Sequence, residues 1–275
     1  MTGPLFTIAG KELRERLRNR WVLAVALVFT IFSLLISYFG AAQQGVVGPR
    51  SLELTVSSLV SLVIYLVPMI ALLLGFDAIV GERERGSLEL LLAHPLTAFE
   101  LLAGKFLGLA TALTLSTLGG FALVGVLLFR QFGSEALWHY GGFVLSSTGL
   151  GLSFLSLALL LSVLTRERTR ASGLAIVLWF FFVLVFDLAL LGTLVATSGS
   201  EAGARVGDAA AWLLLANPAD VFRILNLFSL EQAGGLFGLG ALLPPAFASP
   251  LWMGLALLGW IVAPLALALW RFKPS

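Results

Sequence analysis

The chain contains no cysteine. That excludes disulfide staples, thiolate metal sites and a cysteine nucleophile. Histidine is nearly as scarce, with only His94 and His139, and no His-Glu-x-x-His spacing occurs. The three methionines, Met1, Met69 and Met253, are scattered, so no path of soft metal ligands is laid out. Gly104 and Lys105 resemble the end of a phosphate-binding loop, but no glycine stands five residues earlier and Phe106 follows the lysine. Serine and histidine show no triad spacing. Catalysis by this chain, and a metal or other cofactor bound by it, are therefore not expected. Charge is sparse as well: 12% of residues are Asp, Glu, Lys or Arg, against 59% apolar. A length of 275 residues would suit one or two soluble domains, but this composition is that of a membrane protein.

Six apolar runs are long enough to cross a bilayer: Trp21–Phe39, Val56–Val80, Phe106–Phe129, Gly142–Leu164, Gly173–Val195 and Leu251–Trp270. Each has about 19 to 25 residues, which matches a ~30 Å hydrocarbon core at ~1.5 Å per residue. The first is too long for a signal-peptide core and is followed by no small-residue cleavage site, so no cleavable signal is expected. Thirteen of the 17 Lys and Arg residues fall on the side of both termini, leaving Arg50, Arg130, Arg205 and Arg223 on the other. The positive-inside rule then predicts a bacterial inner-membrane, multi-pass protein with both termini and residues 81–105 in the cytoplasm. The expected fold is all-α, with six transmembrane helices in a single domain spanning residues 1–275.

Two segments flank this pattern. Residues 4–18 read as an amphipathic interface helix that meets membrane lipid: Pro4 suits its first turn, Phe6, Ala9, Leu13 and Leu17 share a side, and Lys11, Arg14 and Arg18 lie roughly opposite. Residues 196–250 form a long outer segment. Within it Asn217 caps a helix, Pro218 fits the first turn, and Asp220 sits near the positive end of the helix dipole. A seventh span over 209–228 is rejected, because Asn217, Pro218, Asp220, Arg223 and Asn226 would be costly in lipid. A re-entrant or interfacial outer helix pair before the last span is predicted instead.

The most informative stretch is 77–108. Glu82, Arg83, Glu84 and Arg85 alternate in charge, Gly86 frees the backbone, and Leu88, Leu91 and Leu92 then share one helical face. Pro95 ends that short helix. Thr97 and Glu100 make a capping box that starts the next one, which runs past Lys105. An apolar stripe outside the bilayer predicts either a docking surface for a partner or an interfacial connector without one. Two acids fall in apolar runs, Asp77 and Asp187, and such acids are functional candidates. An aspartate-pair protease does not fit, since they differ in depth by roughly 15 Å. Asp77 is expected to pair with an arginine, either Arg83 or one from the 166–170 turn, and Asp187 to join helices or subunits.

Gly81, Glu82, Glu84, Gly86, Ser87, Leu88, Glu89, Leu91, Leu92, Pro95, Gly104 and Lys105 resemble the signature of ABC-2 type transporter permeases, which joins spans two and three. The likeness covers the whole chain: interface helix, six spans, outer re-entrant helices. It implies a second copy of the chain and a cytoplasmic ATPase subunit, with ATP and Mg held on that subunit, docking at Glu82, Glu84, Gly86, Leu88, Glu89, Leu91, Leu92 and Pro95. More narrowly, Lys11 to Leu13, Arg18 to Trp21, Phe76 to Glu82, Trp179 to Asp187 and Asn217 to Leu227 are similar to the permeases of nitrous oxide reductase maturation systems. That resemblance implies two further partners, a periplasmic β-helical protein and a copper-chaperone lipoprotein, in a complex serving copper-site assembly. Asn217, Asp220, Phe222, Arg223 and Asn226 are the candidate periplasmic contacts. No nucleic-acid partner is expected. Export of a lipid, drug or sulfur species is the alternative activity.

Overall fold

A computed structural model describes residues 3–18, 20–39, 52–93, 96–197, 212–228 and 249–272. Among these residues all regular structure is helical. The helices are α1 (Pro4–Arg18), α2 (Trp21–Phe39), α3 (Leu52–Gly75), α4 (Val80–Glu84), α5 (Ser87–Leu92), α6 (Ala98–Leu164), α7 (Arg168–Phe180), α8 (Phe186–Thr197), α9 (Pro218–Phe228) and α10 (Pro250–Arg271). A π-helical turn, Phe181–Val185, joins α7 to α8.

Among the described residues, five helical stretches are long and apolar enough to cross a membrane. The longest, α6, has 67 residues, far more than one crossing needs. It folds back at Gly133, whose φ of 81° lies in the left-handed region that glycine enters without a Cβ clash. Pairings on either side run antiparallel. Tyr140 donates from its hydroxyl to the Phe121 carbonyl at 3.0 Å, the Phe121 and Phe143 rings are 5.4 Å apart, and Gly151 lies against Leu113. The third and fourth runs of the sequence are thus the two arms of one helical hairpin, 98–132 and 134–164, with almost no connector between them.

Both arms form the centre of the bundle. The first arm takes α1 and α2: Gly120 abuts Phe29, and Gly104 and Gly108 abut α1. A Cβ on Gly104 would lie 2.9 Å from the Leu5 carbonyl oxygen and one on Gly108 2.6 Å from that of Ala9. This small-xxx-small spacing lets two helix backbones touch. The second arm takes α9, α10 and the segment after α3 through buried hydroxyls. Ser153 and Ser156 donate to the Leu257 and Trp260 carbonyls of α10, Ser146 meets Asn226 of α9, and Ser162 receives the N–H groups of Ile79 and Val80. In an apolar solvent such bonds act between helices where the hydrophobic effect does not, at about 0.6 kcal/mol each.

The bundle has a proximal end, where α1, α4, α5 and the starts of α6 and α7 gather, and a distal end near Gly133 and α9. Two expectations change here. The second span was read as reaching Val80, but α3 stops at Gly75, where the backbone presses on Ala158 and Leu155, and residues 76–79 turn. Asp77 therefore lies in that turn, inside the stretch Thr55–Glu84 that is long and apolar enough to cross a membrane. The sides of α1 also differ from the sequence reading. Phe6 and Leu17 are exposed, whereas Ile8 and Glu12 face α6, because the glycine-lined contact sets the helix's inner face.

Candidate functional site

At the proximal end the segment after α3 is held by charges from three directions. Lys105 Nζ lies 2.8 Å from Glu82 Oε1 of α4 and 3.4 Å from Glu12 Oε2 of α1. Arg16 Nη2 lies 3.1 Å from Glu12 Oε1. Glu12, Glu82 and Lys105 are all buried. Burial pushes the Glu12 carboxyl up, but the charges of Lys105 and Arg16 outweigh it and hold the group below its ordinary value. Lys105 thus joins the two ends of the signature segment to each other and to α1.

The neighbouring charges act on α7. Arg83 donates to the Thr165 and Val163 carbonyls, the last acceptors of α6. Glu84 accepts from the backbone N–H of Arg168. That N–H opens α7, whose own N-cap residue Glu167 makes no side-chain cap. Glu84 therefore caps α7 from another helix and places a carboxylate at the positive end of its dipole. The Arg168 side chain turns back to Asp77, with Nε 2.9 Å from Oδ1, an ion pair without the alignment of a hydrogen bond. Of the two arginine sources expected for Asp77, the 166–170 turn supplies the partner. Gly81 is required here, because a Cβ on it would lie 2.3 Å from Asp77 Oδ1.

Gly86, with φ 71°, links α4 to α5. The Leu stripe of α5 divides. Leu88 is buried in the chain's own core and Leu91 packs partly against it, so these two anchor α5 rather than face outward. The free surface is Glu84, Arg85, Glu89 and Leu90, with Leu90 71% exposed and Phe99 of α6 57% exposed beside the loop's far end. Pro95 and the side chain of Leu92 lie outside the described residues. The Thr97–Glu100 capping box forms as its spacing predicts. Glu100 is held below its ordinary value first by the Thr97 backbone N–H it accepts from.

At the distal end, residues 212–228 enter the bundle and return. The Asn217 side-chain amide donates to the Phe182 carbonyl in the π-turn at 2.8 Å. The Trp260 indole N–H donates to Leu215 at 3.0 Å. Phe182 and Trp260 lie in the middle of their own long helices, so the tip of this excursion is deep in the bundle. Asn217 also donates to Asp220 Oδ2 and accepts from the Ala219 N–H, capping α9 as predicted. Arg223 bridges two acids, 2.6 Å from Asp220 Oδ1 and 2.8 Å from Asp187 Oδ2. Asp187 thus joins helices within one chain. Most of the remaining 196–250 stretch lies outside the described residues.

The residues expected to meet a periplasmic partner point inward. Asn217, Asp220, Phe222 and Asn226 are buried, and Arg223 is 30% exposed. A helix surrounded by α3, α6, α10 and the π-turn satisfies its polar groups internally. Sequence reasoning missed the serines of the second α6 arm, the π-turn and the Glu12–Lys105 pair. The last joins positions 93 residues apart, which no local pattern in the sequence links. Among the described residues no three potential metal-ligating groups gather.

Residues 6–275 match the family described as ABC-2 family transporter protein. The chain belongs to that family. It is 47% identical over 278 residues to the "Probable ABC transporter permease protein NosY" of Pseudomonas aeruginosa, and 45% identical over 276 residues to the protein of the same description from Stutzerimonas stutzeri. Each match covers 98% of both chains. As a permease chain of the ABC-2 type, it uses the signature as a structural clasp: Glu82 binds Lys105, Glu84 caps α7, and Gly104 seats α1.

Proposed function

We propose that this chain is the transmembrane subunit of an ABC transporter complex that couples ATP hydrolysis in a separate cytoplasmic ATPase to assembly of the copper site of nitrous oxide reductase outside the membrane. The chain works as a homodimer by transmitting motion rather than by carrying copper. The proximal end faces the cytoplasm, a reading supported by the distribution of Lys and Arg. A periplasmic β-helical protein and a copper-chaperone lipoprotein meet the distal end. The likeness to two NosY permeases along their full length supports this assignment.

The observation that carries the reading is the two-sided α5. Leu88 is seated in the transmembrane core while Leu90 and Glu89 on the same short helix stand free. A partner pressing on the free side moves the clasp to which the bundle is tied. Leu90→Asp places an unpaired charge in that contact, which costs several-fold or more in affinity at about 1–3 kcal/mol of uncompensated burial. Co-purification of the ATPase should fall sharply while membrane insertion and thermal stability stay unchanged. Undiminished ATPase recovery with both Leu90→Asp and Glu89→Arg would refute docking here.

A second reading, export of an apolar molecule, is favoured by a cavity of about 650 Å³ between the second α6 arm, α9 and α10. It is lined mainly by apolar side chains, with Trp138, His139, Ser146, Thr148 and Asn226 the polar-edged exceptions. ATP-driven uptake of copper or of a lipid probe by inverted vesicles holding only the permease and the ATPase would favour export. Transmission predicts neither.

A further inference from the structure

The proximal clasp contains two kinds of charge contact, and they are suited to different tasks. The Glu12–Lys105–Glu82 group is buried, with side chains 4 to 9% exposed. None of its members can leave without stranding a charge away from water, so it holds α1, α4 and the first α6 arm as one body. Arg168 differs. Its side chain is 55% exposed, and its ion pair with Asp77 can open into solvent at little cost. Arg168 also begins α7, its N–H capped by Glu84 of α4. From there the helix runs to the π-turn 181–185, where Phe182 receives Asn217 of α9, and then to Asp187, which holds Arg223 of α9. A π-turn carries one extra residue in a single wide turn, so a small shift or rotation of the helix can be absorbed or released there.

We propose that Arg168 is the positioning residue through which the coupling segment controls the re-entrant helix: Asp77 and Glu84 set the placement of α7, and the π-turn passes that placement to α9 through Asn217 and Arg223. When the body of α1, α4 and the first α6 arm moves relative to α7, the Arg168–Asp77 pair is remade, α7 shifts along its axis, and the two distal contacts that seat α9 are strained together. The buried Lys105 group stays intact throughout. This route rests on the docking of an ATPase at α5 proposed above, and names the path the motion takes from there.

The absence of native cysteine provides the test. Ala219 lies on α9, is 1% exposed, and donates only through its backbone. In the permease–ATPase complex, Ala219→Cys should react slowly with a small membrane-permeant maleimide, and ATP with Mg should raise the rate about fivefold or more, the lower range of an allosteric coupling. Adding Arg168→Gln should remove that nucleotide effect, while Arg168→Lys, which keeps the charge opposite Asp77, should retain it. Glu84→Ala should also diminish it. Recovery of the ATPase with the permease is measured on every variant, and its loss in the Ala219→Cys parent would count against the docking model instead. With the ATPase bound, an equal nucleotide response in Arg168→Gln and its parent, or no response in the parent, would overturn the route through α7.

Discussion

The two ends of this molecule solve the same problem in opposite ways. At the proximal end, Lys105 serves two carboxylates, Glu82 and Glu12, and Arg16 completes the charge balance. At the distal end, Arg223 also serves two carboxylates, Asp187 and Asp220, but the remaining support comes from amides and carbonyls. The proximal cation is nearly sealed, whereas Arg223 is 30% exposed. A sealed group with balanced charge makes a fixed joint. A partly open one with an extra acid makes a contact that can be broken and remade. The comparison suggests a rigid foot on which the coupling segment stands and a looser seat that holds the re-entrant helix.

The largest expected effect comes from emptying the rigid foot. Lys105→Met strands Glu12 and Glu82 in a buried site, and breaking a buried pair costs about 3–5 kcal/mol. Thermal unfolding in detergent should drop by several degrees or the chain should fail to accumulate. The triple change Lys105→Met, Glu12→Gln, Glu82→Gln should recover most of that loss. If the single variant were as stable as the parent, the clasp would not be the joint described.

The distal seat should give a smaller and asymmetric response. Arg223→Met leaves two acids facing each other and should cost about 2 kcal/mol, less than the proximal change because water reaches the site. Asp220→Asn should cost much less, since Asp187 still pairs with Arg223 and Asn217 still has a partner at position 220. Equal losses in unfolding temperature for the two variants would remove the distinction between the ends.

The smallest effect concerns acid. The Glu12 carboxyl is held below its unfolded value of 4.5, so its contribution to stability is present above that value and is lost as pH falls through the lower folded value. Unfolding temperature should therefore decline more steeply below about pH 4.5 in the parent than in Glu12→Gln. Parallel acid limbs for both proteins would show that Glu12 is not tied to Lys105 in solution.

The signature's local features were legible in the sequence because they act over three or four residues. The capping box of Thr97 and Glu100, the glycine link at Gly86 and the cap at Asn217 all form as their spacing requires. The direction of the Leu stripe was not legible. Its period places Leu88, Leu91 and Leu92 together, but period alone does not say whether that face meets a partner or the chain's own core. The same limit applies to α9, whose polar residues read as a surface and are instead paired inside the bundle.

By itself the sequence determined the class of the molecule. Its long apolar runs set an all-helical, membrane-spanning architecture, because backbone in lipid must bond within helices. Its lysines and arginines set the expected orientation, and its lack of cysteine and scatter of histidine set the expectation of no soft-metal chemistry. Only the tertiary structure decided which charge meets which. Glu12 and Lys105 stand 93 residues apart, and Glu84 and Arg168 stand 84 apart. No local periodicity links positions at such distances. They meet because Gly104 and Gly108 let α1 lie against α6, and because the turn at Gly133 brings the second arm back to the proximal end, where Ser162 and the start of α7 receive the coupling segment.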